Sequence, residues 1–255
     1  MEAPEGGGVI DFLGEVGAWL GDPANWTGRS GVPNRLWEHV AVAGVALVVA
    51  GIVALPTGVA LGHRGRGGVL AVSAVNIGRA IPSFGIVGIA FPITLALGLS
   101  PLGYWATLVA LVALALPPMF VNAYTGVGQT DPALVEAARG MGMTERQVLT
   151  GVELPLALPV IMAGIRTAAV EVVATATLGA VVGFGGLGRF IIDGFAQRKF
   201  EEVFVGGVAV ALLAIVTETT LGWVQRRTDH TRPPRNGRVP QPLDVDDVID
   251  AVPVG

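Results

Sequence analysis

The sequence predicts an all-α, polytopic membrane protein with about five transmembrane helices. Three observations predict it. Only 14% of the 255 residues are charged and 52% are hydrophobic, against about 25% charged in an ordinary soluble domain. The mean hydropathy is +0.64. A chain this apolar cannot cover itself with enough polar surface to sit in water. Finally, five stretches reach the roughly 20 apolar residues that a helix needs to cross a bilayer.

Those stretches run from about Val40 to Leu61, Val69 to Leu97, Leu102 to Val127, Leu156 to Val182 and Val203 to Val224. The second is long and is interrupted at Ile81-Pro82-Ser83. Proline lacks the amide proton a helix interior needs, so Pro82 predicts either a kink in one tilted helix or a break in it. Charge placement decides the count. His63, Arg64 and Arg66 follow the first span, Arg139 and Arg146 lie in the loop from 128 to 155, and Arg226, Arg227, Arg232, Arg235 and Arg238 follow the last. The positive-inside rule places all three segments in the cytoplasm. An even number of crossings must separate each pair, which gives five spans with the N-terminus outside and the C-terminus inside. Nine arginines then lie inside, against Arg29, Arg35, Arg189, Arg198 and Lys199 outside.

The chain divides accordingly into an outer segment, 1–39, a membrane domain, 40–225, and a tail, 226–255. In the outer segment Val9, Ile10, Phe12, Leu13, Val16, Trp19 and Leu20 fall mostly at helical spacing. They predict a short helix, lying in the interface or packed on the bundle. The first twelve residues are acidic, which does not fit a secretory signal. The tail is rich in Pro, Arg and Asp, a composition that predicts disorder.

Several functions are excluded or disfavoured by composition. With no cysteine there is no disulfide framework, thiolate metal site or Cys nucleophile. A net charge of −4 gives no basic footprint for nucleic acid. Lys199 is the only lysine, flanked by Arg198 and Phe200, so no Walker A phosphate loop exists. If ATP drives this chain, another subunit hydrolyses it. Gly183-Phe184-Gly185-Gly186-Leu187-Gly188 matches the dinucleotide fingerprint G-x-G-x-x-G, but it follows a membrane helix rather than a strand. A tight turn is expected there instead. Gly58-xxx-Gly62 has the spacing that lets membrane helices approach closely. His39, His63 and His230 lie at unrelated depths, so no metal or catalytic constellation is expected.

The loop between the third and fourth predicted spans is the most polar internal stretch. Asp131-Pro132 predicts a helix N-terminus, with Leu134, Val135 and Ala138 able to line one face. Gly140 and Gly142 end that helix. Thr144 and Gln147 form a capping box for a second short one. Two structured helices at the inner membrane face suit either a docking element or a packing hairpin. Within the membrane, Arg79, Arg166 and Glu171 are costly charges. They either line a polar path or form a structural pair such as Glu171 with Arg79.

One motif in this loop is specific. Glu136-Ala137-Ala138, then Gly142 after three residues, then Val152-x-Leu154-Pro155 after nine, resembles the EAA signature of ABC importer permeases, with Val for the usual Ile. The resemblance extends to Asp22-Pro23-Ala24-Asn25-Trp26, Ile81-Pro82-Ser83, Ala163-Gly164-Ile165-Arg166-Thr167-Ala168, Ala174-Thr175-Ala176-Thr177-Leu178 and Gly185-Gly186-Leu187-Gly188. These look like the osmoprotectant branch, which imports glycine betaine, carnitine, choline or proline. The resemblance implies the type I (MetI-like) fold and a loop that docks in a groove of an ATPase subunit. It implies Glu136 as a polar docking contact, Ala137 and Ala138 as points of close approach, and Gly142 as the elbow. The implied partners are a cytoplasmic ABC ATPase, an extracytoplasmic substrate-binding protein and a second permease chain, identical or not. The chain would hold no cofactor, ATP being used by its partner. A permease for methionine or another amino acid shares the same five-span core and is the alternative, with a stand-alone secondary transporter behind it.

Overall fold

A computed structural model describes residues 8–65, 72–73 and 82–228. Among them there is no strand. The helices are α1 (Val9–Gly21), α2 (Val32–Arg64), α3 (Ser83–Ala96), α4 (Tyr104–Gly128), α5 (Pro132–Gly140), α6 (Glu145–Val148), α7 (Leu154–Thr175), α8 (Gly188–Gln197) and α9 (Phe200–Thr228). A π-helical turn, Leu149–Glu153, joins α6 to α7, and a 3-10 segment, Ala176–Val182, continues α7.

Four continuous helical stretches are long and apolar enough to cross a membrane: α2, α4, the run from α6 to Val182, and α9. They correspond to four of the five expected spans. The second expected span contributes α3, which is apolar but only 14 residues long. Pro82 stands just before it with extended backbone, φ −57° and ψ 132°. Among the described residues, α3 starts after the proline, which stands outside the helix.

The first span also starts earlier than hydropathy suggests. Gly31 precedes α2 and Pro33 occupies its first turn, so the helix already includes Asn34, Arg35, Glu38 and His39. These polar residues are satisfied within the bundle. Arg35 pairs with Glu38 at 2.9 Å, and His39 is fully buried.

The core is built on small residues. Ala46, Ala50, Ala54, Gly58 and Gly62 recur every four residues along α2, and all are buried. That stripe lies against α4. A Cβ on Gly58 would stand 2.7 Å from the Phe120 carbonyl oxygen, and one on Gly62 equally close to that of Tyr124. Backbone thus packs on backbone, as small-xxx-small spacing permits. Leu111, Met119 and Phe120 of α4 and Val172 and Val173 of α7 complete the cluster. The N-terminal helix α1 packs on the bundle through edge-to-face pairs of Phe12 with Phe204 and Trp19 with Phe190, each at 5.6 Å.

Contacts between distant residues sort the chain into two ends. At one, His63 of α2 meets Glu153, and Gln225 of α9 donates to the Pro159 carbonyl of α7. At the other, Glu38 and His39 meet the Gly186 region. The end of α2, the root of α7 and the end of α9 therefore border the same end of the bundle.

Candidate functional site

The polar loop folds as the spacing predicts. The Asp131 carboxylate accepts from the Ala133 amide at 2.9 Å, with Pro132 in the first turn of α5. Thr144 and Gln147 cap α6 reciprocally. Between the two helices the chain reverses at Gly142, whose φ is +83°. Its amide donates to the Arg139 carbonyl and that of Met143 to Ala138.

The faces of α5 differ in part from expectation. Ala138 is buried and Val135 half-buried, but Leu134 is 49% exposed. Leu134 therefore belongs to the outer face, together with Glu136, Ala137 and Met141, the last 77% exposed. Positions 134, 137 and 141 share one side of a helix. The result is an apolar strip beside an exposed carboxylate, facing away from the bundle. Of the two alanines in the motif, only Ala137 lies on that face. Leu154 is half-buried against the cluster of Ala123, Val127, Ala157 and Ile161, and Pro155 takes an exposed place in the first turn of α7.

Behind this face lies a charged chain that spacing alone did not reveal. Arg139 donates through Nε and Nη2 to the two carboxylate oxygens of Glu145, both at 2.9 Å. This exchange lowers the Glu145 carboxyl below its ordinary 4.5 and raises the Arg139 guanidinium above its ordinary value. Glu145 Oε2 lies 3.4 Å from His63 Nε2, and His63 Nδ1 lies 2.6 Å from Glu153 Oε2. Glu153 is 5% exposed. The available signal was an acidic residue inside the apolar run that opens α7, which needs a partner when buried. The partner lies 90 residues away in sequence.

Of the intramembrane charges, Arg79 lies outside the described residues. Arg166 pairs with Glu218 and donates to Gln225 at 3.1 Å, tying α7 to α9. Nothing in the sequence spacing joins Glu218, 52 residues further along the chain, to Arg166. Glu171 sits half-buried on α7, and its pairing with Arg79 lies outside what is described.

The Gly183–Gly188 segment is a tight turn, as expected. The Gly186 amide donates to Glu38 at 2.9 Å and that of Leu187 to His39 Nδ1 at 3.3 Å, while His39 Nε2 donates to the Val173 carbonyl at 2.8 Å. A Cβ on Gly185 would collide with the Glu38 carboxylate. His39 is thus a buried clamp between α2, α7 and the turn. Replacing it by Leu strands two backbone groups at a cost of about 2–4 kcal/mol. We expect His39→Leu to lower the thermal unfolding temperature of the detergent-solubilised protein. An unchanged transition would refute the clamp.

A structured polar loop, four long apolar helices and the EAA spacing agree with the comparison to known proteins. The family of binding-protein-dependent transport system inner membrane components matches residues 48–230. The chain belongs to this family. It is 35% identical over 215 residues to the carnitine transport permease protein OpuCD of Listeria monocytogenes, covering 84% of this chain and 92% of that one. It is 36% identical over 193 residues to the choline transport system permease protein OpuBB of Bacillus subtilis, covering 76% and 86%. Among solved structures, the inward-facing MetNI methionine ABC transporter matches with TM-score 0.65 and 25% identity, over 75% of this chain and 93% of that one. The fold is that of a MetI-type ABC importer permease. The chain is accordingly a multi-pass membrane permease subunit of an ABC importer and not an enzyme.

Proposed function

We propose that this permease carries osmoprotectants of the quaternary-ammonium class, such as carnitine, choline or glycine betaine, into the cell. The carrying observation is the similarity to permeases whose names specify those solutes, at 35–36% identity over three quarters or more of the chain. A third relative, from Bacillus subtilis, is named for glycine betaine, carnitine and choline together, at 36% identity over 190 residues. The likeness to the methionine transporter is weaker in sequence, at 25%, and supports the fold more than the amino-acid alternative.

In this reading the exposed strip of Leu134, Ala137 and Met141, with Glu136 beside it, receives a cytoplasmic ABC ATPase. ATP is used there. A substrate-binding protein delivers the solute outside, and a second permease chain completes the path. The N-terminus lies outside and the loop and C-terminus inside, as the arginine distribution suggests. The bundle alternates between inward- and outward-open states, biased by nucleotide and substrate.

The test compares uptake of labelled carnitine, choline, glycine betaine and methionine in native cells with and without this chain. Loss of at least one of the first three, with methionine uptake intact, supports the proposal. Loss of methionine uptake alone overturns it. In parallel, tagged chain is purified from native membranes in mild detergent. We expect an ATPase to co-purify and Glu136→Lys to remove it. Undiminished co-purification would take Glu136 out of the interface.

A further inference from the structure

Two of the bundle's central helices are joined to the docking loop by the chain itself. The loop follows α4 directly at Gly128, and it runs into α7 through the π-turn. Helix α2 has no such connection. Yet α2 packs along α4 backbone to backbone through Gly58 and Gly62, so a displacement of the loop end must either carry α2 with it or shear that contact.

His63 supplies the missing connection. It occupies the last turn of α2, one residue beyond Gly62. One ring nitrogen is 2.6 Å from Glu153 and the other 3.4 Å from Glu145. Glu145 in turn holds Arg139 of α5. The chain Arg139–Glu145–His63–Glu153 thus runs from the docking helix, through α6, to the end of α2 and the root of α7. Its inner half is protected: the Glu153 side chain is 6% exposed and that of His63 16%, against 60% for Glu145 and 47% for Arg139. The exposed Arg139–Glu145 pair alone is worth little. The buried carboxylate is another matter, because removing its partner leaves a polar group stranded. Glu153 also closes a π-turn, a rare geometry that recurs at functional sites.

We infer that His63 and Glu153 are positioning residues for energy coupling: they pin α2 to the docking loop so that its movement displaces α2 and α4 as one unit. The inference rests on the reading that α5 receives the ATPase.

The test uses the assembled transporter in proteoliposomes, with labelled carnitine, choline and glycine betaine as solutes. Uptake and ATP hydrolysis are measured together. His63→Ala and Glu153→Ala should keep the ATPase bound and hydrolysing while uptake per ATP falls about fivefold or more, the lower end of measured couplings between sites. The double variant should be no worse than either single one, since both remove the same link. His63→Lys, which places a hydrogen-bond donor facing the two carboxylates, should restore most of the ratio. A His63→Ala transporter with the wild-type ratio overturns the pin. So does loss of the bound ATPase, which would make these residues part of docking or folding.

A second readout is independent of the solute. The chain contains no cysteine, so spin labels at Arg64→Cys and Arg146→Cys report one distance. Both positions are exposed. With the pin intact that distance should be narrow and unchanged by ATP, and His63→Ala should broaden it. A distance that broadens with ATP despite an intact His63 overturns the pin. If the wild-type transporter moves none of the three solutes while this distance behaves as expected, the substrate reading fails and the pin stands.

Discussion

Gly142→Asp is expected to reach the membrane in normal amounts and to lose substrate uptake by about tenfold or more, a coupling loss within the usual 1–3 kcal/mol range. The reason is local. Gly142 holds φ at +83° where the chain turns from α5 into α6. A Cβ there meets nothing within 4 Å, so the residue is not excluded by crowding. It is excluded by its own backbone, because a left-handed conformation costs an L-residue about 1–2 kcal/mol. Aspartate adds a second effect. Its carboxylate adds a negative charge three residues along the chain from Arg139, which Glu145 now holds through two hydrogen bonds. Both effects tilt α5 and leave the helices of the bundle untouched. Asparagine tolerates the left-handed region better and carries no charge. Gly142→Asn should therefore retain much of the uptake. The check is initial uptake rate normalised to membrane-inserted protein. Normal uptake by Gly142→Asp would show that the elbow does not position the docking face.

The helices of the bundle were legible because their signal is local. Apolar stretches of sufficient length are enough to place α2, α4, α7 and α9, and the caps at Asp131 and Thr144 need only residues two or three positions away. What hydropathy misjudged were places where a polar residue is satisfied out of sight. The first turns of α2 looked too polar for a membrane helix, since nothing in the spacing shows that Glu38 accepts from Arg35 and from the Gly186 amide. The same holds for Arg166. Its partner Glu218 is 52 residues further along the chain, and no periodicity links them.

The candidate docking loop shows the same division. The EAA spacing located the loop, its elbow and Glu136 from sequence. The inner face of α5 was only partly legible as Leu134, Val135 and Ala138, because an amphipathic helix of nine residues with three apolar candidates permits two orientations. Packing chose the one that buries Ala138, half-buries Val135 and leaves Leu134 outside. The His63–Glu153 contact was invisible for a further reason. It depends on the depth at which α2 ends relative to α7, a quantity set by how α2 slides along α4.

That sliding position is fixed by the small-residue stripe, which leads to the largest expected loss of stability. Gly58→Leu should prevent stable assembly of the bundle. Even the first added carbon would lie 2.7 Å from the Phe120 carbonyl oxygen and 2.9 Å from the Ala123 side chain. Both atoms belong to α4 and the first is backbone, so neither can rotate away. Relief requires α2 and α4 to separate along the stripe that includes Ala46, Ala50 and Ala54, each 1% exposed or less. Overpacking in a close-packed core costs about 1–3 kcal/mol where side chains can adjust, and more is expected where a backbone must move. The expected result is a sharp drop in the protein extracted as a monodisperse species in mild detergent, with a lowered unfolding temperature in what remains. Gly44→Leu serves as the control, since an added Cβ there meets nothing within 4 Å. If Gly58→Leu extracted and melted like Gly44→Leu, α2 and α4 would not be in backbone contact, and the pin at His63 would have no rigid unit to move.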